Sequence, residues 1–167
     1  MTEKKDLSIY TICMGNFERS VIWDKCEAKF SRIFKEPELF PQIFAEFRIN
    51  NNEEELPICC CKIDDKNWSL LTTRKLFTSK AGIINIIDME TAQLDSYRNP
   101  HNFNEPYTLG LLITHDGNDH EFFIENGYCC QVMVSAIHER LILQKNSEEE
   151  NQRKIKMLIR RGFLEEN

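Results

Sequence analysis

The chain has 167 residues, of which 41% are hydrophobic and 29% charged, a composition typical of a soluble globular protein with one compact domain. Its formal net charge of -6 argues against nucleic acid and anionic membrane surfaces as partners, because both bind preferentially to dense basic patches on a protein. No apolar run reaches the length of a signal-peptide core or a membrane-spanning helix, so we expect a cytoplasmic protein.

Residues 1–52 are predicted to form a helical N-terminal extension. Apolar residues recur every three to four positions in two stripes, from Ile22 to Phe34 and from Phe40 to Phe47. Asn16 is predicted to cap the first helix, and two prolines between the stripes should interrupt the helical pattern. These prolines are Pro37 and Pro41. A polar run of Asn and Glu residues then predicts a loop.

Residues 53–146 are predicted to form a β-rich domain closed by a helix. Segments rich in β-branched and aliphatic residues, separated by turn-forming residues, predict its first strands. They are LPICCCKI (56–63), WSLLTTRKLFTS (68–79) and GIINIIDMETAQL (82–94). The separating turns are predicted at 64–67 and 79–82.

The chain has seven cysteines, an odd number that does not indicate a disulfide framework in a protein without an export signal. Strand alternation places Cys59 and Cys61 on one face and Cys60 on the other. Consecutive cysteines, including Cys129 and Cys130, lack the two-residue gap that zinc sites prefer. We therefore predict buried, reduced thiols, with a redox role or a metal site as the weaker alternatives.

A polar loop, SYRNPHNFNEPY (96–107), is long for a compact domain. It contains aromatic, histidine and arginine side chains, of which aromatic residues and arginine are types that anchor protein interfaces. These candidates are Tyr97, Arg98, His101, Phe103 and Tyr107. We predict that the loop contacts a protein partner, with an ordinary surface loop as the alternative.

The segment LGLLITHDGNDHEFFIE (109–125) predicts a β-hairpin. A two-residue turn at Gly117–Asn118 would place His115 opposite His120 across the two strands. Two facing imidazoles are weak candidates for a metal site, because a catalytic zinc needs three protein ligands and no third is apparent. A pH-sensitive histidine pair and a hairpin tip without function are the alternatives.

Two helices complete the predicted chain. The first, over residues 128–145, has an apolar stripe of Met133, Ile137 and Leu141 and should cap the sheet. The second lies within residues 147–167 and is amphipathic, with acidic residues at its start and basic residues later, which complements the helix dipole. Its basic residues are Arg153, Lys154, Lys156, Arg160 and Arg161. We expect it to dock by its apolar stripe, with partner or membrane contact as the alternative.

Residues from about 56 to 145 resemble bacterial pleckstrin-homology-like (PH-like) domains. The segment from Thr72 to Phe77, followed by the isoleucine-rich stretch from Ile83 to Met89, is similar to their central strands. Residues 109–127 and the following helix are similar to their last hairpin and capping helix. The resemblance implies an α+β fold with a small, partly open antiparallel barrel, and a binding or scaffolding role.

The resemblance does not extend to lipid binding. Phosphoinositide-binding PH-like domains carry several basic residues around the loop between their first two strands. The corresponding loop here, residues 63–67 with Lys62 beside it, has as many acidic as basic side chains. We therefore do not expect a membrane lipid as the ligand.

The sequence contains no phosphate-binding glycine loop, nucleophile elbow or zinc-protease motif. We predict a non-enzymatic binding module that engages another protein and uses no cofactor, with no assigned catalytic residue. One alternative is a metal- or small-ligand-dependent enzyme at the barrel mouth near His115 and His120. The other is a peripheral membrane adaptor that uses the C-terminal helix.

Overall fold

The computed structural model describes residues 3–50 and 54–166, and these form an α+β fold with two antiparallel sheets. The α-helices of this part of the chain are α1 (Glu3–Ser20), α2 (Phe40–Glu46), α3 (Cys130–Leu143) and α4 (Glu148–Arg160). Short 3-10 turns lie at Trp23–Lys25, Pro37–Leu39 and Gly127–Cys129. The α+β class, the antiparallel strands and the helix that follows the last strand confirm the sequence prediction at this level.

Within each sheet the strands lie side by side in the order of the chain. The five-stranded sheet contains β1 (Ser31–Ile33), β2 (Pro57–Lys62), β3 (Trp68–Thr72), β4 (Lys75–Lys80) and β5 (Ile83–Asp88). The three-stranded sheet contains β6 (Gln93–Tyr97), β7 (Tyr107–Ile113) and β8 (Asp119–Glu125). Two of the predicted strand segments therefore each contain parts of two strands: residues 68–79 contain β3 and β4, and residues 82–94 contain β5 and the start of β6. The first turns back at Thr73–Arg74, where the Thr72 hydroxyl donates to the Lys75 carbonyl at 2.9 Å.

The two sheets are not closed into a barrel, which corrects the predicted barrel. The chain leaves the five-stranded sheet after β5, and β6 pairs with β7 instead of with β5. The crossover from Met89 to Ala92 turns sharply, because the amide of Ala92 donates to the Asp88 carbonyl at 3.2 Å. The Gln144 side chain of α3 donates to the carbonyls of both Met89 and Ala92, which fixes the crossover against the helix.

The buried apolar residues form two clusters on opposite faces of the five-stranded sheet. The larger cluster joins α1, both sheets and α3, and it includes Cys59 and Cys61. The smaller cluster lies under α2 and includes Cys60 and Phe77. The alternation predicted for the three consecutive cysteines is therefore confirmed, and all three side chains are fully buried.

The N-terminal part differs from the prediction. Helix α1 begins at Glu3, and Asn16 lies inside it rather than at a cap. The stripe from Ile22 to Phe34 is not a helix, because Ser31–Ile33 pairs with β2. The carboxylate of Glu125 holds this segment extended, because it accepts hydrogen bonds from the backbone amides of Lys29, Phe30 and Ser31 at 2.7 to 3.1 Å. The second stripe does form α2, with Ile43 and Phe44 buried.

Helix α4 forms as predicted and packs against α1. Ser147 caps it, and Ser147 and Glu150 together make a capping box. Leu158 of its apolar stripe is buried over Gly15 of α1, where a Cβ atom would lie 3.0 Å from Leu158 and 2.9 Å from Leu164. Glycine at this position therefore allows the close approach of the C-terminal segment to α1.

Candidate functional site

An open apolar groove lies between the edge strand β6 and helix α3, and we name it the α3–β6 groove. Its volume is about 480 Å³. It is lined by Leu94, His138, Leu141, Ile142, Lys145 and Asn146. No carboxylate side chain is among these lining residues, whereas two larger grooves beside α1, of about 520 and 590 Å³, both include Glu165.

The groove follows from the two faces of α3. Met133 and Ile137, the buried part of the predicted stripe, are fully inaccessible and belong to the main core. Residues at intervals of four on the opposite side, His138 and Ile142, remain exposed, and Ile142 is 55% accessible. Leu94 of β6 supplies the other wall, so apolar side chains from two elements face the same opening.

The side chain of Tyr97 is half-buried next to the groove. Its ring stacks on His138 at 5.7 Å and meets the edge of Phe122 at 6.3 Å. The Phe122 ring in turn covers Gly110, where a Cβ atom would lie 2.2 Å from it. Burial raises the pKa of Tyr97, and its hydroxyl has no hydrogen-bond partner in the described part of the chain.

The other four loop candidates lie in different surroundings. Arg98 is exposed, with its guanidinium 3.9 Å from the Glu121 carboxylate. His101 directs Nδ1 at the Cys130 sulfur, 3.6 Å away, at the start of α3. The ring of Tyr107 packs on Phe123 at 5.6 Å. The loop therefore does not gather its aromatic side chains into one cluster.

Phe103 is the most exposed aromatic residue of the loop. It is 67% exposed, and its ring meets Tyr128 at 5.1 Å. Lys25 lies over the other ring of this pair, with Nζ 5.1 Å from the Tyr128 centroid. Tyr128 was not among the predicted interface residues, because it begins the helix predicted over residues 128–145 and lies outside the loop.

A disulfide bond joins Cys26 to Cys129 beside this aromatic pair, with 4.9 Å between the Cα atoms. This corrects the prediction that all seven cysteines are reduced thiols. No local pattern indicates this pair, because the two positions are 103 residues apart and meet only when the Trp23–Lys25 turn reaches the start of α3. The free cysteines of the described residues, Cys13, Cys59, Cys60, Cys61 and Cys130, are all buried.

The Cys130–His101 contact has the residue types of a nucleophilic pair but not the electrostatics. Burial raises the pKa of the Cys130 thiol to about 11 and that of Cys60 also to about 11. At neutral pH almost no Cys130 thiolate is present, and the thiolate is the nucleophile. The raised pKa of the Cys130 thiol therefore does not favour cysteine catalysis at this contact.

The predicted histidine pair does not form. In the β7–β8 hairpin His120 lies opposite Leu112, and His115 lies in the connecting loop. The loop is longer than two residues because the Thr114 amide donates to the Asn118 carbonyl at 3.0 Å and the Gly117 amide to the Thr114 carbonyl at 2.9 Å. Within residues 3–50 and 54–166, no three or more His, Cys, Asp or Glu side chains converge as a metal site.

The sequence analysis missed a buried ionic network centred on Arg140. This arginine is fully buried, and it donates from Nε to the Thr73 carbonyl at 2.6 Å and from Nη2 to Glu90 at 2.7 Å. On the other side of the Thr73–Arg74 turn, Arg74 Nη2 donates to Asp6 of α1 at 2.8 Å. The network links the β3–β4 turn and the crossover between the sheets to α1 and α3, and its contacts are structural rather than directed at an opening.

The basic side chains of α4 are in part paired. Lys154 bonds to the buried Glu139 of α3, and Arg153 pairs with Glu149 on the surface. The apolar side of the helix is taken up by α1, as described above. None of the helices in the described ranges combines the length and the apolarity that a membrane crossing requires.

Comparison of this chain with protein-family models, curated protein sequences and solved structures finds no match in any of the three.

Proposed function

We propose that this protein is a PH-like binding module, without catalytic activity, that engages another protein through the α3–β6 groove. The observation that carries the proposal is the exposed apolar wall of Ile142 facing Leu94 across an open groove. Binding sites of this kind are concave and mostly apolar, with a few polar groups that set orientation. The antiparallel meander, the second sheet and the helix packed behind it support the PH-like part of the proposal.

The chemistry of the groove favours a particular kind of segment in the partner. An apolar side chain of the partner would fill the space between Leu94 and Ile142 and remove both from water. Lys145, exposed at the end of the groove, would favour an acidic residue next to that side chain. The aromatic pair Phe103 and Tyr128 extends the contact surface along the N-terminal end of α3.

Site-specific photo-crosslinking in the cells that naturally express the protein tests this proposal. A benzophenone amino acid in place of Ile142 is expected to give an adduct of defined mass. The same amino acid in place of Leu7, which is 60% exposed on α1, is the matched control and should give none. With the benzophenone amino acid placed at Phe103 instead, an added Ile142→Asp substitution should abolish the adduct with the partner.

Absence of an adduct at Ile142, or an equal adduct at Leu7, would contradict the proposal. Retention of the partner by the folded Ile142→Asp variant would do so as well. Circular dichroism of that variant shows whether the fold is intact, and because Ile142 is 55% exposed we expect little loss of stability.

The cytoplasmic location remains part of the same proposal, and it requires the Cys26–Cys129 pair, which is bonded in the structure, to be reduced in the cell. The redox state of this pair is therefore its test. Cytosolic reductants keep most protein thiols reduced, whereas oxidising compartments preserve disulfides. Thiol titration of denatured protein purified from its own cells under acid quenching is expected to count all seven cysteines as thiols if the protein is cytoplasmic. A count lower by the two disulfide sulfurs would place the protein in an oxidising compartment instead.

A further inference from the structure

The outer edge of β5 is open. Strand β5 ends the five-stranded sheet, and in the described part of the chain no other strand pairs with its outer side. Its inner side pairs with β4 over six consecutive positions without a bulge, from Lys75 opposite Asp88 to Lys80 opposite Ile83. The edge is therefore straight and presents unpaired backbone groups to the solvent.

The side chains of β5 make this edge unusual. Ile83, Ile84 and Ile86 are 69%, 50% and 60% exposed. Natural edge strands are commonly protected by a charged residue, a proline or a bulge, and positions 83–87 have none of these. Exposed apolar side chains on a regular, uncharged edge indicate a surface that a further strand covers.

The apolar side chains divide between the two faces in a way that sets the pairing. Ile86 lies opposite the buried Phe77, so Ile84 and Ile86 continue the face that α2 covers on the neighbouring strands. Asn85, between them, lies on the other face. Ile83 and the buried Ile87 lie on this second face beside Asn85. An added strand must therefore bring apolar residues at alternate positions to the first face, and to the second a polar residue between two apolar ones.

We propose that the strand that covers this edge is β5 of a second copy of this chain, paired antiparallel about a two-fold axis at Asn85. This register sets Ile84 opposite Ile86 of the partner copy, Ile86 opposite the partner's Ile84, and the two Asn85 residues opposite each other. Each apolar residue then meets an apolar residue on the same face. The interface is self-complementary, as a two-fold dimer requires, and the two sheets form one continuous sheet.

The charges at the two ends of β5 fit this antiparallel dimer. The exposed Lys66 lies beside Gly82 at the start of the strand, with its Cγ 4.0 Å from the position of a Gly82 Cβ, and Asp88 ends the strand. In the proposed register Asp88 of one copy lies opposite Gly82 of the other, next to Lys66. A parallel arrangement would instead bring the two carboxylates together, which electrostatics disfavours.

Sedimentation equilibrium of the full chain tests the dimer. The unmodified protein is expected to dimerise reversibly, and the double variant Ile84→Lys with Ile86→Lys is expected to weaken the dimer at least 100-fold. Leu7→Lys is the control, because Leu7 is 60% exposed, as is Ile86, but lies on α1. A monomer at all concentrations of the unmodified protein, or a dimer equally stable in the double variant, would overturn the proposal.

Disulfide trapping tests the register and does not require the lysine variants to fold. An Asn85→Cys substitution places a thiol at the two-fold axis, and under oxidised glutathione it should give a covalent dimer on a non-reducing gel. Asp88→Cys is the control, since its counterpart in the other copy is Gly82 and not a cysteine. The free native thiols of the described residues are buried and should not compete. Equal trapping of both variants, or of neither, would contradict the proposed register.

Discussion

The two edge strands β5 and β6 differ in regularity and in charge. Strand β5 pairs with β4 without interruption, whereas the pairing of β6 with β7 is broken by a bulge at Asp95. Asp95 is exposed and is the one charged residue within Gln93–Tyr97. A bulge and a charge both oppose the addition of a strand, and β5 has neither between positions 83 and 87.

Under the two proposals, one fold offers two unlike binding surfaces. The open edge of β5 fits a backbone partner, in which hydrogen bonds between strands give most of the contact. Strand β6 has a blunted edge but borders the α3–β6 groove, which fits a side chain of a partner. The crossover from Met89 to Ala92 joins the two, and Arg140 and Gln144 of α3 hold it.

The largest expected effect comes from the arginine that supports this crossover. In the variant Arg140→Met the volume is kept, but the Thr73 carbonyl loses the Arg140 donor and Glu90 is left with Lys5 at 3.8 Å. Removing one partner from a buried charged network costs about 3 kcal/mol or more. We expect that loss in the free energy of unfolding, measured by urea denaturation.

Arg153→Met is the matched control for this prediction. Arg153 pairs with Glu149, but both side chains are more than 70% exposed, at 73% and 76%. Exposed ion pairs contribute about 0.5 kcal/mol, because water and salt screen them. Similar losses in the two arginine variants would mean that Arg140 does not hold the crossover.

A smaller effect, confined to the β6 side, is expected from Gly110→Ala. The new methyl group would lie 2.2 Å from the buried Phe122 ring, which also supports Tyr97. Overpacking of this kind costs about 2 kcal/mol. Hydrogen exchange should therefore speed up in β6 and β7 more than in β4 and β5.

The control for this variant is Gly117→Ala in the β7–β8 loop. A Cβ atom there meets nothing within 4 Å, so the cost is only that of a non-glycine residue at φ +81. That cost is about 1 kcal/mol. If Gly110→Ala accelerated exchange equally in both sheets, the close contact at Phe122 would not be specific to the β6 side.

Local patterns in the sequence predicted the elements whose partners are near in the chain. The stripe from Phe40 to Phe47 gave α2, and alternation placed Cys59, Cys60 and Cys61 on the correct faces. The turn residues Ala81 and Gly82, with φ of 52° and 83°, connect β4 to β5 at the predicted position. Each of these features depends on contacts within a few residues.

Features that depend on distant residues were missed. Strand β1 pairs with β2, and Glu125, about 95 positions away, accepts the amides of Phe30 and Ser31 where the strand begins, although the local sequence has a helical spacing. The β7–β8 register was predicted incorrectly, because Thr114 and Asp116 bond within the loop and lengthen it. Arg140 appears polar and exposed in the sequence, and only the packing of α3 against the Thr73–Arg74 turn buries it.

The candidate site was predictable only in part, for the same reason. The aromatic composition of residues 96–107 predicted a surface segment, and Phe103 of this segment is indeed 67% exposed. The groove itself is made by Leu94 and Ile142, which belong to separate elements and have no shared signal in the sequence. The partial burial of Tyr97 could not be predicted, because a loop pattern does not show that the rings of Phe122 and His138 pack against it.

The smallest effect is expected from a variant that separates the two features that protect the edge of β6, its charge and its bulge. In the double variant Ile84→Lys with Ile86→Lys, whose β5 edge is charged, Asp95→Val removes the charge of β6 and leaves the bulge. We expect the triple variant to stay monomeric in sedimentation velocity and to change in stability by less than about 0.5 kcal/mol, as exposed substitutions do. The reason is that the bulge between Leu94 and Ser96 interrupts the register over which a new strand would pair. Self-association of the triple variant would show that the charge of Asp95, and not the bulge, keeps β6 different from β5.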